Sequence, residues 1–107
     1  MAFFTIRVLM SGATQGDYGN LGLRLSAVGV RDAIQDDAGG WYRLPPAEYN
    51  YEGTATADQV LATVSAVAQT VGRPFQVFVT QASKRVWRGL PSIQPRATPS
   101  TLAFGFR

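Results

Sequence analysis

The chain has 107 residues, a formal net charge of +3, and 46% hydrophobic against 16% charged residues, enough material for one domain with its own core and unlike a disordered composition. It contains no histidine and no cysteine, which excludes imidazole acid–base catalysis, thiol nucleophiles, thiolate metal sites and disulfide staples. Carboxylates, Lys and Arg, hydroxyls, tyrosines and backbone dipoles remain for chemistry, and no cofactor or metal site is expected.

The charge is unevenly placed. Residues 1–83 hold five Lys/Arg against seven Asp/Glu, whereas residues 84–107 hold five Lys/Arg and no acid. The start, Met1-Ala2-Phe3-Phe4-Thr5-Ile6-Arg7, has no basic leader pattern, and no apolar run is long enough to span a bilayer. A soluble cytoplasmic protein without membrane contact is expected.

Residues 3–10 alternate with period two, Phe4, Ile6, Val8 and Met10 on one side, and predict a strand with one buried face. Thr14-x-x-Asp17 then reads as a capping box. The helix it opens carries Tyr18, Leu21, Leu25 and Val28 on one stripe, and Gly29 stands at its left-handed C-terminal cap. Residues 30–35 predict a second strand. Asp36-Asp37-Ala38-Gly39-Gly40 supplies the hairpin turn that follows, so Asp36 and Asp37 are read as turn residues rather than metal ligands.

The returning strand, residues 41–51, is broken by Pro45-Pro46, which cannot donate to a ladder. A second capping box, Thr56-x-x-Gln59, opens a helix with Val60, Leu61, Val64, Val67, Ala68 and Val71 at helical spacing, closed by Gly72. Residues 75–80 alternate again, Phe75, Val77 and Val79 toward the core, and residues 84–90 are a candidate short paired strand. From Pro91 the composition becomes irregular and basic. The division expected is a domain over 1–90 and a Pro-containing C-terminal tail over 91–107.

This order predicts an α+β fold, a ferredoxin-like βαββαβ sandwich with two helices on one face of a four-stranded antiparallel sheet. Its other face would carry Phe3, Thr5, Arg7, Leu9, Gln76, Phe78 and Thr80. Two readings of that face stand open: a base-stacking platform with Arg7 and Phe78 as contacts, or a homodimer interface. Lys84, Arg85, Trp87 and Arg88 form a second candidate, three cations around an indole, read either as a phosphate-binding segment or as a charged edge that resists aggregation. Phe104-Gly105-Phe106, with Arg96 and Arg107 nearby, is a candidate for docking on a neighbouring subunit's sheet edge.

Residues 3–10, Asp17-Tyr18, Leu23-Arg24-Leu25, Trp41-Tyr42-Arg43-Leu44-Pro45-Pro46-Ala47-Glu48-Tyr49 and the second helix with its following strand resemble the GhoS-type family of type V toxin–antitoxin antitoxins. The resemblance covers residues 3–90 and implies a ferredoxin-like fold related to the CRISPR adaptation ribonucleases. It also implies sequence-selective endoribonuclease activity against a toxin messenger, with Arg24 matching the helix arginine implicated in cleavage. The chain departs from the family pattern at Ser26, where a second arginine stands, and at Ser11-Gly12, where an acid follows the strand. The resemblance thus implies a small RNA-binding protein, with slow cleavage as its possible extension. The alternative is a non-catalytic protein-interaction module, or an inhibitor encoded by a phage or mobile element, acting as a dimer on a protein partner.

Overall fold

The computed structural model describes residues 1–94; the segment from residue 95, with Arg96, Phe104, Phe106 and Arg107, lies outside the described residues. The elements in order are β1 (Ala2–Met10), α1 (Gln15–Ser26), β2 (Ala33–Gln35), β3 (Trp41–Arg43), β4 (Glu48–Gly53), α2 (Ala57–Gln69), β5 (Phe75–Ala82) and β6 (Ser92–Ile93). The fold is α+β.

Alternation along β1 decides where the core sits. Phe4, Ile6, Val8 and Met10 are all buried and form one cluster with Leu21 and Leu25 of α1, Val60, Val64 and Ala68 of α2, and Tyr49 of β4. Both helices begin as the sequence dictates. Thr14 and Thr56 accept from the backbone N–H of Asp17 and Gln59, whose side chains accept in return from the threonine backbones, satisfying donors that a helix start leaves unpaired. Gly29 and Gly72, just past the two helices, take the positive φ expected of them. Val28 and Leu61 depart from the expected stripes: both are exposed, Val28 because α1 already ends at Ser26.

The single four-stranded layer expected from the sequence is replaced by two three-stranded antiparallel sheets, ordered β4-β1-β5 and β2-β3-β6. The causes are local. Residues 30–35 share one backbone bridge with the main sheet, where Arg31 and Asn50 exchange backbone hydrogen bonds of 2.9 and 2.6 Å. The chain then turns into a tight β2–β3 hairpin whose tip is tied by Asp36, which accepts from the N–H groups of Ala38 and Gly40 and from the Tyr42 hydroxyl. Pro45, Pro46 and Ala47 separate β3 from β4: Glu48 N–H donates to the Pro45 carbonyl, closing a turn with Ala47 at φ 70°. Residues 84–90 form no strand; the additional strand is Ser92–Ile93, paired with Trp41 and Tyr42 of β3.

Candidate functional site

On the solvent face of β1 the register sets Arg7 between Glu48 of β4 and Phe78 of β5, Thr5 between Asn50 and Thr80, and Phe3 between Glu52 and Ala82; Leu9 stands beside Gln76. These positions are the odd residues of β1, fixed by the same alternation that buries the even ones. Phe78 is 72% exposed, and Leu9 and Phe3 are exposed beside it. Arg7 is also exposed and approaches Glu48 at 3.8 Å, a solvent-screened pair of little energetic weight.

The Phe3 end of the face is closed by Arg85. After β5 the chain doubles back. Arg85 Nη1 donates to Asn50 Oδ1 at 2.8 Å, to the Phe4 carbonyl at 3.3 Å and to Thr5 Oγ1 at 3.4 Å. Nη2 lies 3.7 Å from Glu52 Oε2, and the guanidinium stands 5.5 Å from the centre of the Phe3 ring. Burial pulls the Arg85 guanidinium below its usual range, with Glu52 acting in the opposite direction. Asn50 is the buried polar residue at the centre: its backbone holds Arg31, its Nδ2 donates to the Ala33 carbonyl and to Glu52, and its Oδ1 receives Arg85.

The sequence-predicted residues are therefore distributed over separate places. Arg7 and Phe78 are cross-strand neighbours on the open part of the face. Arg85 is engaged with the sheet, and Trp87 packs at 5.7 Å from the Tyr42 ring. Lys84 and Arg88, from the same segment, project to solvent. Arg24 lies in the helical layer on the other side of the sheet, where its Nη1 donates to Thr70 Oγ1 at 2.7 Å and to the Thr70 carbonyl at 3.1 Å, closing the C-terminal end of α2. In the sequence Asn50 carries one signal, a lone amide between Tyr49 and Tyr51 in a strand, which does not announce this role.

A cleft of about 760 Å³ lies between the Phe3 end of the face and the β2–β3 hairpin, lined by Ile34, Asp36, Glu52, Lys84 and Trp87 among others. Asp36, Asp37 and Glu52 line it together with Lys84 and Arg85, so it offers no single-sign field for a polyanion. Among the described residues, no three carboxylates come together in a way that would hold a metal ion. Also among them, no helix is long and apolar enough to cross a membrane. No protein-family model matches the chain, and the comparison with curated proteins finds no match.

Proposed function

We propose that the chain is a small RNA-binding protein that meets a single strand on the open part of the β1–β5 face. The observation that carries this reading is the pairing of Phe78, 72% exposed, with Arg7 directly across the ladder. An exposed ring offers a base its stacking surface, and a neighbouring guanidinium reaches the phosphate or stacks on the next base. Thr5, Thr80 and Gln76 line the same face with hydrogen-bonding groups, and the exposed Lys84 and Arg88 add positive charge beyond the end of β5. A ferredoxin-like arrangement is part of the proposal: the order β4-β1-β5, with the Arg31 bridge at the outer edge of β4, supports it.

Binding of short single-stranded RNA, followed by fluorescence anisotropy, tests the reading. Phe78→Ala and Arg7→Ala should each weaken binding by about tenfold, since a stacked base is worth roughly 1–3 kcal/mol. The affinity of the parent chain should fall as salt rises. Binding indifferent to both substitutions, or to salt, overturns it.

Cleavage of the GhoS type is a second reading, favoured by one observation. Arg24 uses only Nη1 to close α2, so among the described residues Nε and Nη2 make no hydrogen bond and remain able to meet a phosphate. If the reading holds, Arg24→Ala abolishes cleavage of a mixed RNA pool while leaving the fold intact; a pool left uncut by the parent chain removes it.

A further inference from the structure

Among the described residues, the outer edge of β5 is the longest uncharged strand edge, the other sheet's edge strands β2 and β6 being only three and two residues long. Its eight residues, Phe75–Ala82, contain no charge and no proline, and natural sheets use such devices to keep exposed edges from pairing. The opposite edge of the same sheet, β4, carries Glu48 and Glu52 and is met by Arg31 at Asn50.

The hydrogen-bond parity fixes which groups that edge presents. Ser11 N–H donates to the Pro74 carbonyl, and Ser11 and Pro74 continue the β1–β5 register of Met10 with Phe75. In an antiparallel ladder hydrogen-bonded pairs alternate with non-bonded ones. Gln76, Phe78, Thr80 and Ala82 therefore direct their peptide groups to β1, and Phe75, Val77, Val79 and Gln81 direct theirs outward. The same alternation correctly places Asn50 outward on β4, where it meets Arg31. Among the described residues no hydrogen bond reaches the outward peptides of β5.

We infer that this edge pairs with the β5 edge of a second copy of the chain about a two-fold axis. A two-fold antiparallel pairing that satisfies all four outward residues has one register: Phe75 opposite Gln81, Val77 opposite Val79, and Phe78 opposite its own counterpart at the axis. Registers shifted by one step along the two-fold leave an outward residue without a partner in β5. In the full register the Phe78 pair is a non-hydrogen-bonded one, the geometry in which side chains approach most closely. The ring that is 72% exposed in one chain is then covered by its equivalent. The half-buried Phe75, Val77 and Val79 gain cover on the helical side, and the two sheets become one continuous layer. A second copy suits this edge because the two-fold brings no like charges together and sets the two exposed Phe78 rings against each other. This inference is argued from the strand edge but shares Phe78 with the proposed RNA-binding face, so the dimer is tested without RNA, and RNA binding is judged separately by Arg7→Ala, which lies off the β5 edge.

The absence of cysteine permits a direct test on the full chain. Sedimentation should show a concentration-dependent dimer, and Phe78→Lys, which sets two like charges at the axis on an exposed position, should raise its dissociation constant by about tenfold or more, equivalent to about 1.4 kcal/mol. Under mild oxidation Phe78→Cys should cross-link, because the Cα atoms of a non-hydrogen-bonded pair stand about 4.5 Å apart, within disulfide reach. Thr80→Cys, opposite Gln76 rather than itself, should not. A full chain that stays monomeric at all concentrations, its edge left free or taken by residues 95–107, overturns the inference. So does a dimer that ignores Phe78→Lys or cross-links equally at both positions.

Discussion

The Oδ1 of Asn50 accepts a 2.8 Å hydrogen bond from Arg85, a residue 35 positions later in the chain, and this contact joins the main sheet to the segment that leaves it. Asn50 is 6% exposed and the Arg85 side chain 17%. A hydrogen bond to a charged group contributes about 1.5–3 kcal/mol, and removing one partner strands the other away from water. Arg85→Ala should therefore destabilise the fold by about 2–3 kcal/mol, read as a lower urea midpoint with unchanged slope. Arg85→Lys should recover little of it, because an ammonium does not reproduce the fork that reaches Asn50, Thr5 and the Phe4 carbonyl together. Asn50→Ala combined with Arg85→Ala should cost less than the two separately; strict additivity would show that the contact carries no coupling.

The hydroxyl of Tyr18 occupies a place where β4 has no residue to offer. The β1–β4 register, extended, sets Met10 opposite Pro45, which has no N–H and has already turned away. Tyr18 Oη instead accepts from Met10 N–H at 2.8 Å and stands 3.3 Å from the Met10 carbonyl. Tyr18→Phe keeps the ring packing and removes only this substitute for a strand. It should cost about 1–3 kcal/mol, the penalty for an unsatisfied buried group, and should speed amide exchange at Met10 ahead of its neighbours; unchanged exchange there would refute the assignment.

The sequence made the helices and the main strands legible because each is specified locally. Thr14 and Asp17, or Thr56 and Gln59, lie three residues apart and cap their own helices, and the alternation of Phe4, Ile6, Val8 and Met10 needs no partner to be recognised. What stayed hidden depends on long-range contacts. Residues 30–35 alternate weakly, so whether they join the main sheet is decided by one bridge between Arg31 and Asn50. The fate of Arg85 is decided likewise: on a charged stretch of sequence nothing distinguishes it from Lys84 or Arg88, yet only Arg85 has an acceptor waiting across the sheet. Arg24 stands out in the sequence by resemblance alone, and its contact with the Thr70 carbonyl depends on where α2 is packed.

Ala47 is the one described residue other than glycine with positive φ, at 70°. The left-handed region costs an L-residue with a Cβ about 1–2 kcal/mol. The turn requires this conformation at the position after Pro46, and Ala47 supplies its carbonyl to Val8 N–H at 3.0 Å, continuing the β1–β4 ladder. Ala47→Gly relieves the strain while adding backbone freedom to the unfolded chain, worth about 0.5–1 kcal/mol in the other direction. The net expectation is a gain of up to about 1 kcal/mol, seen as a higher melting temperature. Ala47→Val should lower it, since a β-branched side chain fits this region worst. A glycine variant clearly less stable than the parent would contradict the strain.

Asp36 and Tyr42 make the hairpin tip sensitive to pH at both ends of the scale. The N–H groups of Gly40, Ala38 and Gly39 and the Tyr42 hydroxyl stabilise the Asp36 carboxylate, which lowers its pKa below 3.8 in the folded chain. The unfolded chain therefore binds the proton more readily, and the stabilisation is present above the ordinary aspartate range and lost as pH falls through the folded value. Asp17, held by Thr14 N–H and by Arg73 at 2.9 Å, shifts in the same direction and loses its contribution over the same acid range. Tyr42 responds with the opposite sign: donating to Asp36 raises its pKa above 10.0, so its contribution is full below that value and disappears as pH rises through the folded one. Asp36→Asn should flatten part of the acid limb and lower the Tyr42 titration toward that of a free phenol, followed by ultraviolet absorbance. If the Tyr42 titration does not move in that variant, the 3.0 Å contact between the two side chains is not what sets it.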